Sequence, residues 1–259
     1  MVWLFVLGAC ATPAFGWPFP PRMSPPRAVR VVPDPSTLFY DNFDGKQLDL
    51  AKWQPNWLGA DNRTVTKPVN SRESSCYDPR QVRVSDGYLH LRADRRQCTD
   101  VNGKIYQYAS GLVNTRRSFT FTYGRVEARV RLDAGSNGVR NWPAVWTNGT
   151  GSWPVTGEMD VFEGLAGKHC WHFHSPAGAP GGCVKPRVAG GWHVFAAEWR
   201  PGRVTFTYDG KYVGETTKGI TGAPMYLVLN YALSNSVSPP IVTTSEMLVD
   251  YVKVTRLTV

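Results

Sequence analysis

From Thr37 onward, apolar side chains recur at every second position in short runs separated by turn residues, and no stretch sustains a spacing of three to four. A period of two places successive side chains on opposite faces of a strand, whereas a helix needs 3.6. The runs include Val82-Arg-Val84, Tyr88-Leu-His-Leu91, Phe119-Thr-Phe-Thr-Tyr123, residues 125–131, residues 192–199 and Val204-Thr-Phe-Thr-Tyr208. Asp209-Gly210 separates the last of these from Lys211-Tyr-Val-Gly214, a hairpin signal because both residues tolerate positive φ. Residues 225–230 and 247–254 read as longer, largely buried strands. With 25 Gly, 20 Pro and abundant Trp, Tyr and Phe, the composition excludes a helix bundle. The expected architecture is all-β: a two-sheet β-sandwich of jelly-roll type, curved enough to leave a concave cleft.

At 259 residues and 42% hydrophobic, the chain is long enough for one large core. The net charge of +9 raises the question of a polyanionic partner, but the basic residues are scattered. In residues 125–131, Arg and Glu alternate with Val126, Ala128 and Val130, as on a strand with one wet face. The expectation is a solvated sheet face and no nucleic-acid partner, since nucleic-acid domains cluster their charge. No apolar stretch after the first residues is long enough to span a bilayer. Residues 1–16 lack charge and contain the apolar run 2–7, which resembles an export signal; a lipid-bearing Cys10 is the competing reading. Residues 17–36, with Pro18, Pro20, Pro21, Pro25 and Pro26, read as an extended tether, so the folded domain is expected over 37–259. The protein is therefore expected to be secreted or held at the cell surface. Cys76, Cys98, Cys170 and Cys183 then form an even set suited to disulfides, with three pairings open and short loops favouring Cys76–Cys98 and Cys170–Cys183. A zinc site at Cys170 with His169, His172 and His174 competes, although the spacing matches no common zinc pattern.

Gly157-Glu-Met-Asp-Val-Phe-Glu-Gly164 is the most informative stretch. On a regular strand Glu158 and Asp160 share a face, while Glu163 points into the apolar interior, where an unpaired carboxylate is costly. A one-residue bulge between Asp160 and Glu163 removes the conflict. Three acids on one face repel one another, so at least one should hold a proton near neutral pH. Glycoside cleavage needs such a set: one carboxylate to attack or stabilise the anomeric carbon, and one protonated carboxyl to serve the leaving oxygen. An exposed acidic strand or a calcium site is the alternative, disfavoured by the interleaved Met159, Val161 and Phe162. Trp142 and Trp146, four residues apart just before the acids, suit either a core or a sugar platform, with Trp146 the stronger platform candidate.

In these features the chain resembles glycoside hydrolase family 16, the laminarinase-like endo-β-1,3-glucanases with the bulged acid signature. The likeness extends from residues 39–45 through Ser110-Gly111, residues 123–129, residues 142–146, Glu198-Trp199 and Asp209-Gly210 to residues 249–252. The resemblance implies Glu158 as nucleophile, Glu163 as acid/base and Asp160 between them. It also implies sugar contacts from Trp142, Trp146, Asn70, His172 and His174. No cofactor is implied for catalysis, although some members hold a structural calcium where Asp250 and Gly87 stand here. The implied partner is a polysaccharide, most readily β-1,3-glucan, cut internally with retention by a monomer. Leu112, Asn70-Ser-Arg-Glu73 and the Gly/Pro-rich segment between Cys170 and Cys183 depart from the pattern. These departures leave a sulfated galactan, transglycosylation or a non-catalytic glycan-binding module as alternatives.

Overall fold

The computed structural model describes residues 34–186, 188–234, 236 and 241–258. The export and lipidation readings for residues 1–16, and most of the proline-rich 17–36, lie outside the described residues. Two sheets account for most strands. The larger runs in the order Lys211–Thr216, Arg203–Tyr208, Gly191–Arg200, Gly124–Leu132, Ser245–Thr255, Tyr88–Asp94, Tyr108–Ser110, Ser75–Tyr77. Thr37–Asp41 pairs alongside Ser245–Thr255, and Val82–Ser85 alongside Tyr88–Asp94. The smaller sheet has the order Gly181–Val184, Lys168–His174, Glu158–Leu165, Trp142–Gly149, Met225–Ala232, Leu112–Asn114. Crossing between sheets along the chain gives the expected two-sheet sandwich. Among the described residues, one 3-10 turn at Pro79–Gln81 is the only helical element.

Alternation builds the core as read. In Gly124–Leu132 the apolar Val126, Ala128 and Val130 are buried between the sheets. The charged residues between them face outward and neutralise one another, with Glu127 2.8 Å from both Arg125 and Lys253. This is the solvated strand face expected of the scattered charge. Aromatic rings join the two sheets: Phe162 stacks on Phe195 at 3.9 Å, and Trp171 on Phe206 at 4.6 Å. Asp209 and Gly210 both take positive φ, 49° and 74°, as their hairpin requires. Both favoured disulfides are present, Cys76–Cys98 and Cys170–Cys183.

One expected strand is absent. Residues 119–123 make only a single bridge, Phe121 to Met225. Tyr123 turns to φ 61° beside Gly124 at 144°, which ends any extended run. The apolar rings instead pack together, Phe119 against Phe39 and Phe121, and Phe121 against Trp199. Their alternation reflects packing at one end of the sandwich.

Candidate active site

Glu158–Leu165 lies between Trp142–Gly149 and Lys168–His174 in the smaller sheet. Against the first neighbour, Glu163 pairs with Ala144, Phe162 with Val145 and Asp160 with Trp146, so Val161 is the extra residue. Against the second, Asp160 faces His172 and Glu163 faces Cys170, three steps on one strand for two on the other. Val161 and Phe162 therefore both enter the inter-sheet core, each fully buried. Their shared direction returns Glu163 to the face that holds Glu158 and Asp160.

The three carboxyl groups are held by different partners. Glu163 accepts from Trp142 Nε1 at 3.0 Å through Oε1, and its Oε2 lies 2.9 Å from His172 Nδ1. Glu158 Oε2 accepts from Trp153 Nε1 at 3.0 Å, while His174 Nε2 sits 3.5 Å from its Oε1. The same His174 nitrogen lies 3.0 Å from Asp160 Oδ2 but off the line of a hydrogen bond, leaving that buried oxygen unsatisfied. Burial, the Glu163 charge and a hydrogen bond with Glu163 push the Asp160 carboxyl well above the usual carboxylate range. Burial and then the Asp160 charge raise Glu158 to about 8, against the lowering influence of His174 and Trp153. The two increases are not independent. Once Asp160 keeps its proton, it no longer repels charge on Glu158, and one cause of the Glu158 rise disappears. The site thus favours one protonated carboxyl at Asp160 beside an ionisable Glu158.

A cleft of about 720 Å³ opens at Glu163, lined in part also by Trp142, Trp153, His172, His174 and Asn70. A smaller recess of about 40 Å³ adjoins it, shared by Asn70, Glu73, Trp146, Asp160, Glu163 and Asn230 among others. The two tryptophans share a face, as their spacing implied, but differ in depth. Trp146 is 6% exposed, donates from Nε1 to Asn230 Oδ1 at 2.7 Å and packs on Trp57. Trp146 lines the recess, and Trp142 lines both the recess and the open cleft.

A family model for glycosyl hydrolases family 16 matches residues 70–234, which include all three acids and most of the residues that line the cleft. The chain belongs to glycoside hydrolase family 16. It is 28% identical over 240 residues to glucan endo-1,3-beta-glucosidase A1 of Niallia circulans, covering 77% of this chain and 34% of that protein. It is 29% identical over 226 residues to keratan-sulfate endo-1,4-beta-galactosidase of Sphingobacterium multivorum, covering 78% and 51%. The chain thus spans about a third to a half of these relatives' length. Among solved structures, LamA of Z. galactanivorans in complex with laminaritriose and laminaritetraose superposes with a TM-score of 0.72 at 25% identity, covering 86% of this chain and 99% of that one.

Two metal readings fare differently from the acids in this family 16 chain. Cys170 is bonded to Cys183, and His169 is buried in the core with Nε2 3.2 Å from the Ala189 carbonyl, its pKa lowered by burial to about 4. A zinc site there is excluded by that bond. For calcium, Asp250 Oδ2 is paired with Arg129 Nη1 at 2.6 Å, so one oxygen of that carboxylate is engaged by a guanidinium. Among the described residues, the groups with ligand atoms within 4.8 Å of one another are Glu158, Asp160 and His174, and Asp160, Glu163 and His172. Both belong to the acid cluster itself.

Some site residues of the family 16 domain escaped the sequence reading. Trp153 is 59% exposed, yet its indole N–H holds Glu158 and its ring tilts against His174. Its place five residues before the first acid was the available signal. Glycine 181 matters as well: a Cβ there would sit 2.0 Å from His172 Cδ2. Its bare backbone lets the imidazole lie flat against the neighbouring strand and reach Glu163.

Proposed function

We propose that the domain over residues 37–259 is a retaining endo-glycosidase that hydrolyses internal β-linkages of a polysaccharide, with β-1,3-glucan as substrate. The bulge that gathers Glu158, Asp160 and Glu163 on one face, with Glu163 lining an open cleft, is the observation that supports this reading best. Glu158 attacks the anomeric carbon as Glu163 gives its proton to the departing glycosidic oxygen, forming a glycosyl ester. Glu163, now a carboxylate, takes a proton from water as the water oxygen attacks that carbon, releasing the sugar and restoring both groups. The Trp153 N–H stabilises the charge on Glu158 before attack, and His172 and Trp142 fix the orientation of Glu163. Asp160, protonated and buried between them, keeps the two glutamates from sharing a third charge. Trp142, Trp153, Asn70, His172 and His174 line the path of the sugar chain. All the chemistry resides in carboxyl groups, with no resident cofactor required.

The similarity to enzymes named for β-1,3-glucan and for laminari-oligosaccharides supports the substrate. Two disulfides suit a protein working outside the cell. The second reading, a sulfated galactan, draws on the keratan-sulfate relative and on Arg72 at the cleft edge. Incubation with laminarin, mixed-linkage glucan, agar, carrageenan and keratan sulfate, followed by reducing-end release, tests the assignment. The expected result is cleavage of β-1,3-glucan, abolished by Glu158→Gln because an amide cannot form the ester. Cleavage of charged polymers alone would replace the glucan with the galactan, and cleavage of none would remove the hydrolase reading.

A further inference from the structure

Tyr208 carries a hydroxyl into the apolar space between the two sheets, and the proposed reaction does not use it. On its strand, Arg203–Tyr208, the buried positions are Val204, Phe206 and Tyr208, so a phenylalanine would fill the same space. The Tyr208 ring is buried edge-on to Phe195 at 4.8 Å. A hydroxyl at that depth is costly without a partner. Its partner belongs to the opposite sheet: the hydroxyl donates to the Cys170 carbonyl at 2.6 Å. Burial, and then the nearby charges of Glu163 and Asp160, raise the Tyr208 hydroxyl well above its ordinary range, so it keeps the proton it donates.

That bond lands on the strand that faces the bulge. Cys170 is the ladder partner of Glu163, and His172, two residues on, is the partner of Asp160. His172 in turn brings Nδ1 to 2.9 Å from Glu163 Oε2. Glu163 therefore depends on this strand twice, through the ladder at Cys170 and through the imidazole of His172. The Cys170 side chain is fixed by its disulfide to Cys183, its ladder partner on the other side. The tilt of the peptide unit that follows is held separately, by the Tyr208 hydroxyl on its carbonyl. A bulge disrupts the ladder locally, so a fixed neighbour matters more here than along a regular pair.

We propose that Tyr208 is a positioning residue: through the Cys170 carbonyl it holds the strand that aims the Glu163 carboxyl, so a hydroxyl from the far sheet sets how well a proton reaches the departing sugar oxygen. The inference rests on the glycosidase reading, with Glu163 as acid/base, and deepens it. Tyr208 itself touches no sugar and moves no proton. General acid catalysis contributes about 10²–10⁴-fold, and a slight misalignment of the acid forfeits part of that.

The test compares Tyr208→Phe with wild type on two substrates built from the same sugar, laminarin and a dinitrophenyl β-laminaritrioside. Dinitrophenolate departs as a stable anion and needs no proton, whereas the sugar alcohol released from laminarin needs one. Phenylalanine keeps the ring and deletes only the donor. With laminarin, kcat should fall about tenfold or more while KM stays within about twofold. With the aryl substrate, the first-turnover burst of dinitrophenolate should keep its rate within about twofold, because attack by Glu158 is untouched. Burst amplitude counts competent sites, so a chain that folds poorly loses amplitude and not rate. Should Tyr208→Phe give no burst, Tyr208→para-aminophenylalanine keeps a weaker donor and should show the same split between substrates in smaller measure. Glu163→Ala should show that split in full. Equal losses on both substrates would mean that Tyr208 supports the whole site, and no loss on either would mean that it aims nothing; each overturns the proposal and leaves the glycosidase reading intact. Absence of the split in Glu163→Ala would overturn the acid role on which the proposal rests. A wild-type chain that cleaves neither substrate would overturn the glycosidase reading and the proposal with it.

Discussion

Replacing Glu73 by Gln should stabilise the protein at alkaline pH and leave it nearly unchanged at acid pH. The unfolded carboxyl titrates at its ordinary 4.5, and burial raises the folded one to about 7. A group with a raised folded pKa binds more protons in the native state, so it contributes stability below 4.5 that is lost as pH rises toward 7. At about 1.4 kcal/mol per tenfold change in proton affinity, the loss is about 3 kcal/mol. Glutamine resembles the protonated acid in shape and never ionises, so the variant escapes the loss. For a domain of this length the gain corresponds to a rise of about 6–12 °C in Tm. Urea unfolding with both disulfides intact, at pH 5 and pH 8, measures it directly. Wild type and Glu73→Gln should differ little at pH 5 and by about 3 kcal/mol at pH 8. A difference of the same size at both pH values would mean that Glu73 acts through packing, and that its burial costs nothing electrostatically.

Other outcomes follow from the same structure. Phe162→Ala removes a fully buried ring stacked on Phe195 and should cost about 3–5 kcal/mol in chemical unfolding, with hydrolysis of laminarin falling as Glu163 loses its support. Trp153→Phe keeps an aromatic surface but deletes the N–H that favours ionised Glu158, so the acid limb of the pH profile of kcat/KM should move to higher pH. Gly181→Ala drives a methyl group into His172 and should lower kcat more than it raises KM, at a stability cost of about 1–3 kcal/mol. Replacing Cys170 and Cys183 by Ala opens a cross-link between residues 13 apart and should cost about 3 kcal/mol, read as a lower Tm.

What could be read from the sequence was whatever a local parity rule decides. The bulge was legible because Glu163 stood on the wrong face of an otherwise apolar strand, and only an extra residue could repair that. The Asp209-Gly210 hairpin and the wet face of Gly124–Leu132 were legible for the same reason. Depth was not. Trp142 and Trp146 have identical parity, and their roles separate only because Asn230 buries the indole of Trp146 from the neighbouring strand. The burial of Glu73 was hidden further still, since its surroundings are set by Tyr77 and Asn230, 153 residues apart in sequence. Residues 119–123 show the reverse failure: strict alternation without a strand, because a positive φ at Tyr123 ended it.

The face-to-face rings of Phe162 and Phe195 have a consequence for how the acid cluster can be tuned. Phe162 is the immediate chain neighbour of Glu163, and Phe195 belongs to the opposite layer of the sandwich, away from any sugar. Small changes in volume at Phe195 would tilt its partner and, through one peptide unit, re-aim the Glu163 carboxyl by fractions of an ångström. The far layer therefore works as an adjusting screw for the Glu163 carboxyl, and randomising position 195 would shift that group without changing a residue that lines the cleft.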